Sequence, residues 1–169
     1  MPNLSGDRVR KDHRSACVVN LMVEMFGDKW SLLVIRDIIF QNRRHFRELL
    51  TKSPEGIASN ILADRLQRLV AQGIIVKSDD PSHKQKVIYS LTEKGIGLLP
   101  LLMEMSLWGH KYLPGAGLKG RVRVMKEGGP KLWGEFKTDL REAHLRASNS
   151  KKRPRRIRKS RRMPKMQVL

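Results

Sequence analysis

The chain has 169 residues, enough for one domain with appendages, and its 35 Lys and Arg against 16 Asp and Glu give a formal charge of +19. That excess points to a polyanionic partner, most often nucleic acid, and says nothing about fold. A single cysteine excludes an internal disulfide framework and fits a reducing, cytoplasmic setting; no secretory signal is visible, and no apolar run approaches the ~20 residues a membrane span needs.

Residues 1–14 are polar and charged and are expected to form a flexible start. Ser15 suits the cap of a first helix, with Val18, Leu21, Met22, Met25 and Phe26 on its apolar side and Gly27 at its end. Asp28 suits the cap of a second. Trp30, Leu33, Val34, Asp37 and Ile38 follow helical spacing there, and Leu32, Ile35, Ile39 and Phe40 make it apolar on most sides. Gln41–Arg44 breaks it. His45–Lys52 reads as a short helix with Phe46, Leu49 and Leu50 inward, and Ser53-Pro54-Glu55-Gly56 as a turn. The next helix runs from Ser59 to Gln72. Ile61, Leu62, Leu66, Leu69 and Val70 form its inner stripe, while Asn60, Ala63, Asp64, Gln67 and Arg68 face away.

Two β-like runs follow, Ile74–Val76 and Val87–Leu91, around a Lys-rich loop from Lys77 to Lys86. Thr92 opens a long helix to Tyr112, with Pro100 either kinking it or lying in a first-turn break. Pro114–Gly120 reads as a linker and Arg121–Gly129 as extended. Pro130–Leu145 reads as a terminal helix with Leu132, Trp133, Phe136 and Leu140 on one side. Past Ala147 the composition is that of a disordered cationic tail, with ten bases and no acid from Lys151 to Lys165. The expected organisation is therefore a flexible start (1–14), a winged-helix domain (15–113), a linker and extra helix (114–147), and a basic tail (148–169).

Helix, turn, helix, hairpin, helix is the order of a winged helix-turn-helix: mainly α with a small β-hairpin. Its second helix fits a major groove and its basic hairpin can reach the backbone or minor groove. Asn60 and Gln67 are the candidate base readers, because amides pair bidentately with adenine. Ser59 and Arg68 are placed for phosphates, with Ala63 on the same face. Asp64 either accepts from cytosine or pairs with Arg65 or Arg68. In the wing, His83, Lys84 and Lys86 are candidates for phosphate or minor-groove contact. Arg43, Arg44 and Arg47, around the start of the preceding helix, are candidates for backbone contact. The bland alternatives are an ordinary amphipathic surface helix, a solvated turn and helix-end charges.

Other chemistry is not supported. Five scattered histidines and one cysteine give no metal-ligand spacing. There is no Gly-rich phosphate loop and no Gly-x-Ser-x-Gly elbow, and no residues assemble a nucleophile, base and oxyanion site. Neither an enzyme nor a cofactor is expected.

Several pieces, in order, carry a resemblance: Cys17, then Gly27-Asp28-Lys29-Trp30 and Leu33-Val34-Ile35-Arg36-Asp37; Arg44-His45-Phe46-Arg47-Glu48-Leu49; Gly56-Ile57-Ala58-Ser59-Asn60-Ile61-Leu62 with Arg65-Leu66; Leu69 with Gly73-Ile74-Ile75; and Tyr89-Ser90-Leu91-Thr92-Glu93-Lys94-Gly95. The set resembles the HxlR-type family of bacterial winged-helix regulators, which are MarR-like, from Cys17 to about Leu113. The resemblance implies a homodimer on a palindromic operator in double-stranded DNA, joined mainly by its first and last helices, with flanking dimerisation helices in each fold. It also places Cys17 where redox-sensing members carry a reactive cysteine. Two features depart from the family: Val18 stands where Pro often follows the Cys, and the basic tail is not part of the usual core.

Cys17 is expected in the first helical turn, where unpaired N–H groups favour a thiolate; the bland reading is a small buried apolar residue. Trp108 and Tyr112 are either dimer anchors or body packing, and Met22, Met25, Met103 and Met105 either soften an effector pocket or fill core gaps. The effector implied is a small molecule or an oxidant. The rival function is a sequence-indifferent nucleoid or RNA-binding protein dominated by the tail.

Overall fold

Residues 14–80, 83–113 and 119–145 are described by a computed structural model. The expectations for residues 1–13, for 114–118 and for the tail beyond Ala147 lie outside the described residues.

Helix α1 (Val18–Phe26) leads into α2 (Ser31–Gln41) through Gly27–Trp30. The Asp28 carboxylate organises that junction: Oδ1 accepts from the Trp30 and Ser31 amides at 2.8 and 2.9 Å, and Oδ2 accepts from the Ser31 hydroxyl. Helix α2 is the central post of the core, with Val34, Ile35, Ile38 and Ile39 buried. It ends at Asn42, which takes the left-handed conformation (φ 50°). Helix α3 (Phe46–Lys52) and α4 (Ser59–Ala71) follow, each preceded by an extended residue, His45 and Ala58. Gly73 closes α4 with φ +66°; its amide donates to Val70 O (2.9 Å) and the Ile74 amide to Leu69 O (3.0 Å). This paired bonding requires a left-handed residue, which glycine supplies without a Cβ penalty.

Strands β1 (Ile75–Asp80) and β2 (His83–Leu91) pair antiparallel, with Ile75 opposite Leu91 and Lys77 opposite Tyr89, up to an irregularity at Asp79/Asp80. The expected ten-residue loop is therefore mostly strand. Lys, Ser and Asp are poor β formers, but a ladder anchored by buried Ile75, Tyr89 and Leu91 overrides local preference. Thr92 then caps α5 (Glu93–Ile96), its Oγ1 accepting from the Gly95 amide at 3.1 Å. Gly95 is required there, since a Cβ would sit 2.2 Å from Ile74 O. Helix α6 (Leu99–Tyr112) starts afresh after Gly97 and Leu98 with Pro100 in its first turn, where a missing N–H costs nothing. The first-turn break, not the kink, is the observed arrangement.

Helix α7 (Lys119–His144) runs through Arg121–Gly129, a correction to the extended reading, and takes in Lys119 and Gly120 from the end of the expected linker. Only Gly129 (φ 46°, ψ −148°) departs from helical geometry, so Pro130 begins a second helical segment. That segment packs on the body: Leu140 is buried, Trp133 and Phe136 are partly so, and the Phe136 and Phe40 rings lie 5.9 Å apart. Val18 lies on the apolar side of α1 as expected but is 73% exposed there, whereas Val70 lies at the margin of the α4 stripe, not within it.

The end of α7 seals the outer edge of β2. His144 is 1% exposed, and its Nδ1 accepts from the Leu91 amide at 3.1 Å, which requires that nitrogen to be unprotonated. Burial first, and the Arg44 charge second, push His144 down to about 4. The folded value lies below the ordinary 6.5, so the unfolded chain binds more protons between the two. Stability from this site is thus complete above pH 6.5 and falls by about 3 kcal/mol as pH drops towards 4. Urea unfolding at pH 7 and pH 4.5 should show this loss in the parent chain and a smaller one in His144→Gln. Equal losses would contradict it.

Candidate nucleic-acid interface

Helix α4 is divided cleanly by burial. Leu62, Leu66 and Leu69 are at most 2% exposed, whereas Ser59, Asn60, Ala63, Asp64, Gln67 and Arg68 are all exposed. The exposed set recurs three and four residues apart, so it forms one stripe on the helix. Among the described residues the side-chain amides of Asn60 and Gln67 have no hydrogen-bond partner, which leaves them available. Asp64 lies 3.2 Å from Arg68 and 3.5 Å from Arg65, the internal pairing allowed by the sequence.

Buried and half-buried charges fix the attitude of this helix. Arg36 of α2 grips Glu55 in the α3–α4 turn with two bonds, at 2.6 and 2.9 Å. This pairing, ahead of an opposing effect of burial, holds the Glu55 carboxyl at about 2. The same guanidinium reaches Asp37, itself 1% exposed, which also accepts from Arg43 at 2.9 Å. At the other side Arg65 of α4 lies 3.4 Å from Asp28. Burial opposes ionisation of Asp28, but its bonds to Ser31 and Trp30 and the Arg65 charge more than offset it, so its carboxyl sits below the usual range. Arg36, Glu55 and Arg65 were not picked out as positioning residues from sequence; the Arg36–Glu55 partners are 19 positions apart, and no local pattern marks them.

Two arginines leave the candidate interface. Arg44 is 9% exposed and spends its guanidinium internally, on Tyr89 O (3.3 Å), Ala143 O (3.0 Å) and the Ser90 hydroxyl. Burial, partly offset by Asp80, lowers its pKa. Its own carbonyl accepts from the Tyr89 amide at 2.8 Å, so the residue staples the α2–α3 connection to β2 and α7. Arg43 is committed to Asp37, with 15% of its side chain exposed. Arg47 on α3 and Lys86 on β2 are exposed as expected. His83 and Lys84 lie in β2, and their side chains fall outside the described part. The wing is tied back by His45, whose Nε2 is 2.8 Å from Asp80 Oδ2 and whose Nδ1 is 3.2 Å from Glu48 Oε2.

Cys17 is the N-cap of α1 rather than a first-turn residue, because the Ser15 hydroxyl accepts its amide (3.3 Å) and its carbonyl takes the first helical bond from Leu21 (3.0 Å). It is exposed, which sets aside the buried reading. Beside it, Val18, Met22, Val23, Leu32, Leu101 and Met105 line an apolar groove of about 390 Å³ between α1 and α6. Trp108 and Tyr112 extend that face, their ring centroids 5.2 Å apart and their planes tilted by 45°, and both are more than half exposed. Among the described residues no group of His, Cys, Asp and Glu could hold a metal ion, and no helix is long and apolar enough to cross a membrane.

A helix-turn-helix with a two-stranded antiparallel wing, in a mostly helical body, is the fold of the winged-helix transcriptional regulators. The family model described as HxlR-like helix-turn-helix matches residues 25–116, more than half of the chain, and the protein belongs to that family. An uncharacterized HTH-type transcriptional regulator of Synechocystis, sll1512, is 34% identical over 97 residues, covering 57% of this chain and 70% of its own. The HTH-type transcriptional regulator YodB of Bacillus subtilis is 32% identical over 88 residues, covering 52% and 77%. Among solved structures, PA1607, described as a candidate transcription factor, aligns with a TM-score of 0.55 at 38% identity, covering 60% of this chain and 70% of that one. A MarR-family regulator from Porphyromonas gingivalis W83 aligns with a TM-score of 0.51 at 33% identity, covering 58% and 94%. The chain is thus a transcriptional regulator of HxlR and MarR type, and its relatives are regulators rather than enzymes.

Proposed function

We propose that the protein is a cytoplasmic, homodimeric, sequence-specific regulator that reads a palindromic operator with α4. The single observation that carries this is the exposed stripe of Ser59, Asn60, Ala63, Asp64, Gln67 and Arg68, in which the Asn60 and Gln67 amides are free while Asp64 and Arg68 pair with each other, on a helix locked from both sides by Arg36–Glu55 and Arg65–Asp28. A rigidly held stripe of amides suits base reading, and Arg47, Lys86 and the wing residues His83 and Lys84 supply backbone contact. The second copy would cover the apolar face of α1 and α6, where Val18, Val19, Val23, Trp108 and Tyr112 stand exposed. Two α4 helices would then enter successive major grooves about one turn apart. Exposed Cys17 at the edge of this face would make the dimer responsive to an oxidant, with a small molecule in the α1–α6 groove as the other route.

The domain reading assigns the winged-helix body to 15–113, the extra helix to 114–147 and a phosphate clamp to 148–169. Mapping bound genomic fragments for the full chain and for one ending at Ala147 tests both parts. A few sharp sites kept by the shorter chain, with a shallower salt dependence, are expected. Diffuse coverage that vanishes on truncation would instead make it a tail-driven, sequence-indifferent binder.

A further inference from the structure

Helix α7 lies past the residues that match the family model, yet its end returns to the reading unit. The last turn is held at three points. Arg141 pairs with Glu93 of α5 at 2.8 and 3.1 Å, Ala143 O accepts from Arg44 at 3.0 Å, and buried His144 accepts from the Leu91 amide at 3.1 Å. The Leu145 amide donates to Arg141 O at 2.9 Å, so the chain leaves the body at a fixed place. That place is the outer edge of β2. The other edge of β2 pairs with β1, which follows α4 directly through the Gly73 turn. The hairpin therefore has α4 joined to one strand and the end of α7 seated along the free edge of the other.

Chain length then limits where the basic block can act. Lys151, the first of its ten bases, is six positions past Leu145, and a chain of that length reaches at most about 20 Å. The rise of β2 from Leu91 to His83 is about 27 Å. The block thus begins most of the way to the wing tip, where His83 and Lys84 serve phosphates in the proposed operator reading. From Lys151 to Lys165 it can cover about 45 Å, more than one duplex turn. Two α4 helices in successive major grooves leave little bare backbone between them, so the uncovered phosphates lie outside the half-sites. We propose that each tail binds the DNA backbone flanking the operator, on the outer side of the wing. The partner is duplex DNA, because an origin tied to the wing makes the flanking backbone the polyanion of highest effective concentration once α4 is seated. This grip on the flanks rests on the operator reading of α4.

Titration of the full-length protein onto duplexes that carry a selected core, either bare or with about fifteen base pairs on each side, tests this. The flanks should tighten binding about tenfold at physiological salt and extend hydroxyl-radical protection about one turn past each wing. Replacing Arg153, Arg155, Arg156, Arg158, Arg161 and Arg162 by Gln in the full chain should remove that gain and make the salt slope shallower. A Gly-Ser insertion of about thirty residues after Ala147 keeps every base but dilutes the block about tenfold at the flank, so the gain should shrink with it. No gain from flanks, a gain that survives the arginine replacement, or one undiminished by the insertion would each overturn the proposal. So would a structured RNA that abolishes the gain while α4 stays bound, which would assign the tail to RNA. Scrambling the core keeps the two claims apart. Equal affinity for selected and scrambled cores would remove the operator reading, whereas a preferred core that gains nothing from its flanks would remove the role of the tail alone.

Discussion

Arg44→Ala is expected to destabilise the fold by about 3 kcal/mol while leaving the DNA affinity of the folded protein within about threefold. The reason lies in what the guanidinium leaves behind. Tyr89 O, Ala143 O and the Ser90 hydroxyl all face it, and in its absence they are buried without a donor. Each orphaned group costs about 1–3 kcal/mol, and part of the total is recovered as the site relaxes. The change should appear as a lower urea midpoint and a melting point reduced on the order of 10 °C. Arg47→Ala gives the opposite pattern. Its side chain is exposed, so stability holds and nonspecific affinity falls with a shallower salt slope. An Arg44→Ala protein of normal stability that no longer binds DNA would return Arg44 to the interface.

Replacing Asn60 and Gln67 together by Ala should cost about 1000-fold or more in operator affinity, because the proposed dimer loses two pairs from each protomer. The estimate takes about 1–3 kcal/mol for each bidentate amide–base pair. Binding to unrelated DNA should persist with the same salt slope, because no phosphate contact is removed. Stability should stay within about 0.5 kcal/mol, since both side chains are exposed on α4. Competition titrations with specific and scrambled duplexes separate these terms. Equal loss on both duplexes would mean that the stripe holds the backbone rather than reading bases.

The parts of this molecule that sequence discloses are those with a local periodicity. Leu62, Leu66 and Leu69 repeat at helical spacing, so both faces of α4 follow directly. Thr92 three residues before Gly95, and Pro100 in a first turn, are likewise local signals. What the sequence hides depends on residues brought together from a distance. Arg43, Arg44 and Arg47 look alike as letters, yet one is tied to Asp37, one is buried against partners 45, 46 and 99 positions away, and one is exposed. The wing strands extend through Lys77–Asp80 because pairing and the His45–Asp80 tie outweigh poor β propensity. Residues 119–128 are helical although Gly120 and Gly128 weaken a helix and Arg121-Val122-Arg123-Val124 alternates like a strand.

The most direct test of α4 as a sequence reader is selection of the full-length protein on random-sequence duplex DNA at physiological salt. The account predicts enrichment of a palindrome with half-sites centred about one helical turn apart, and loss of that enrichment in Asn60→Ala/Gln67→Ala. A bound pool no richer in any sequence than the starting library would contradict it.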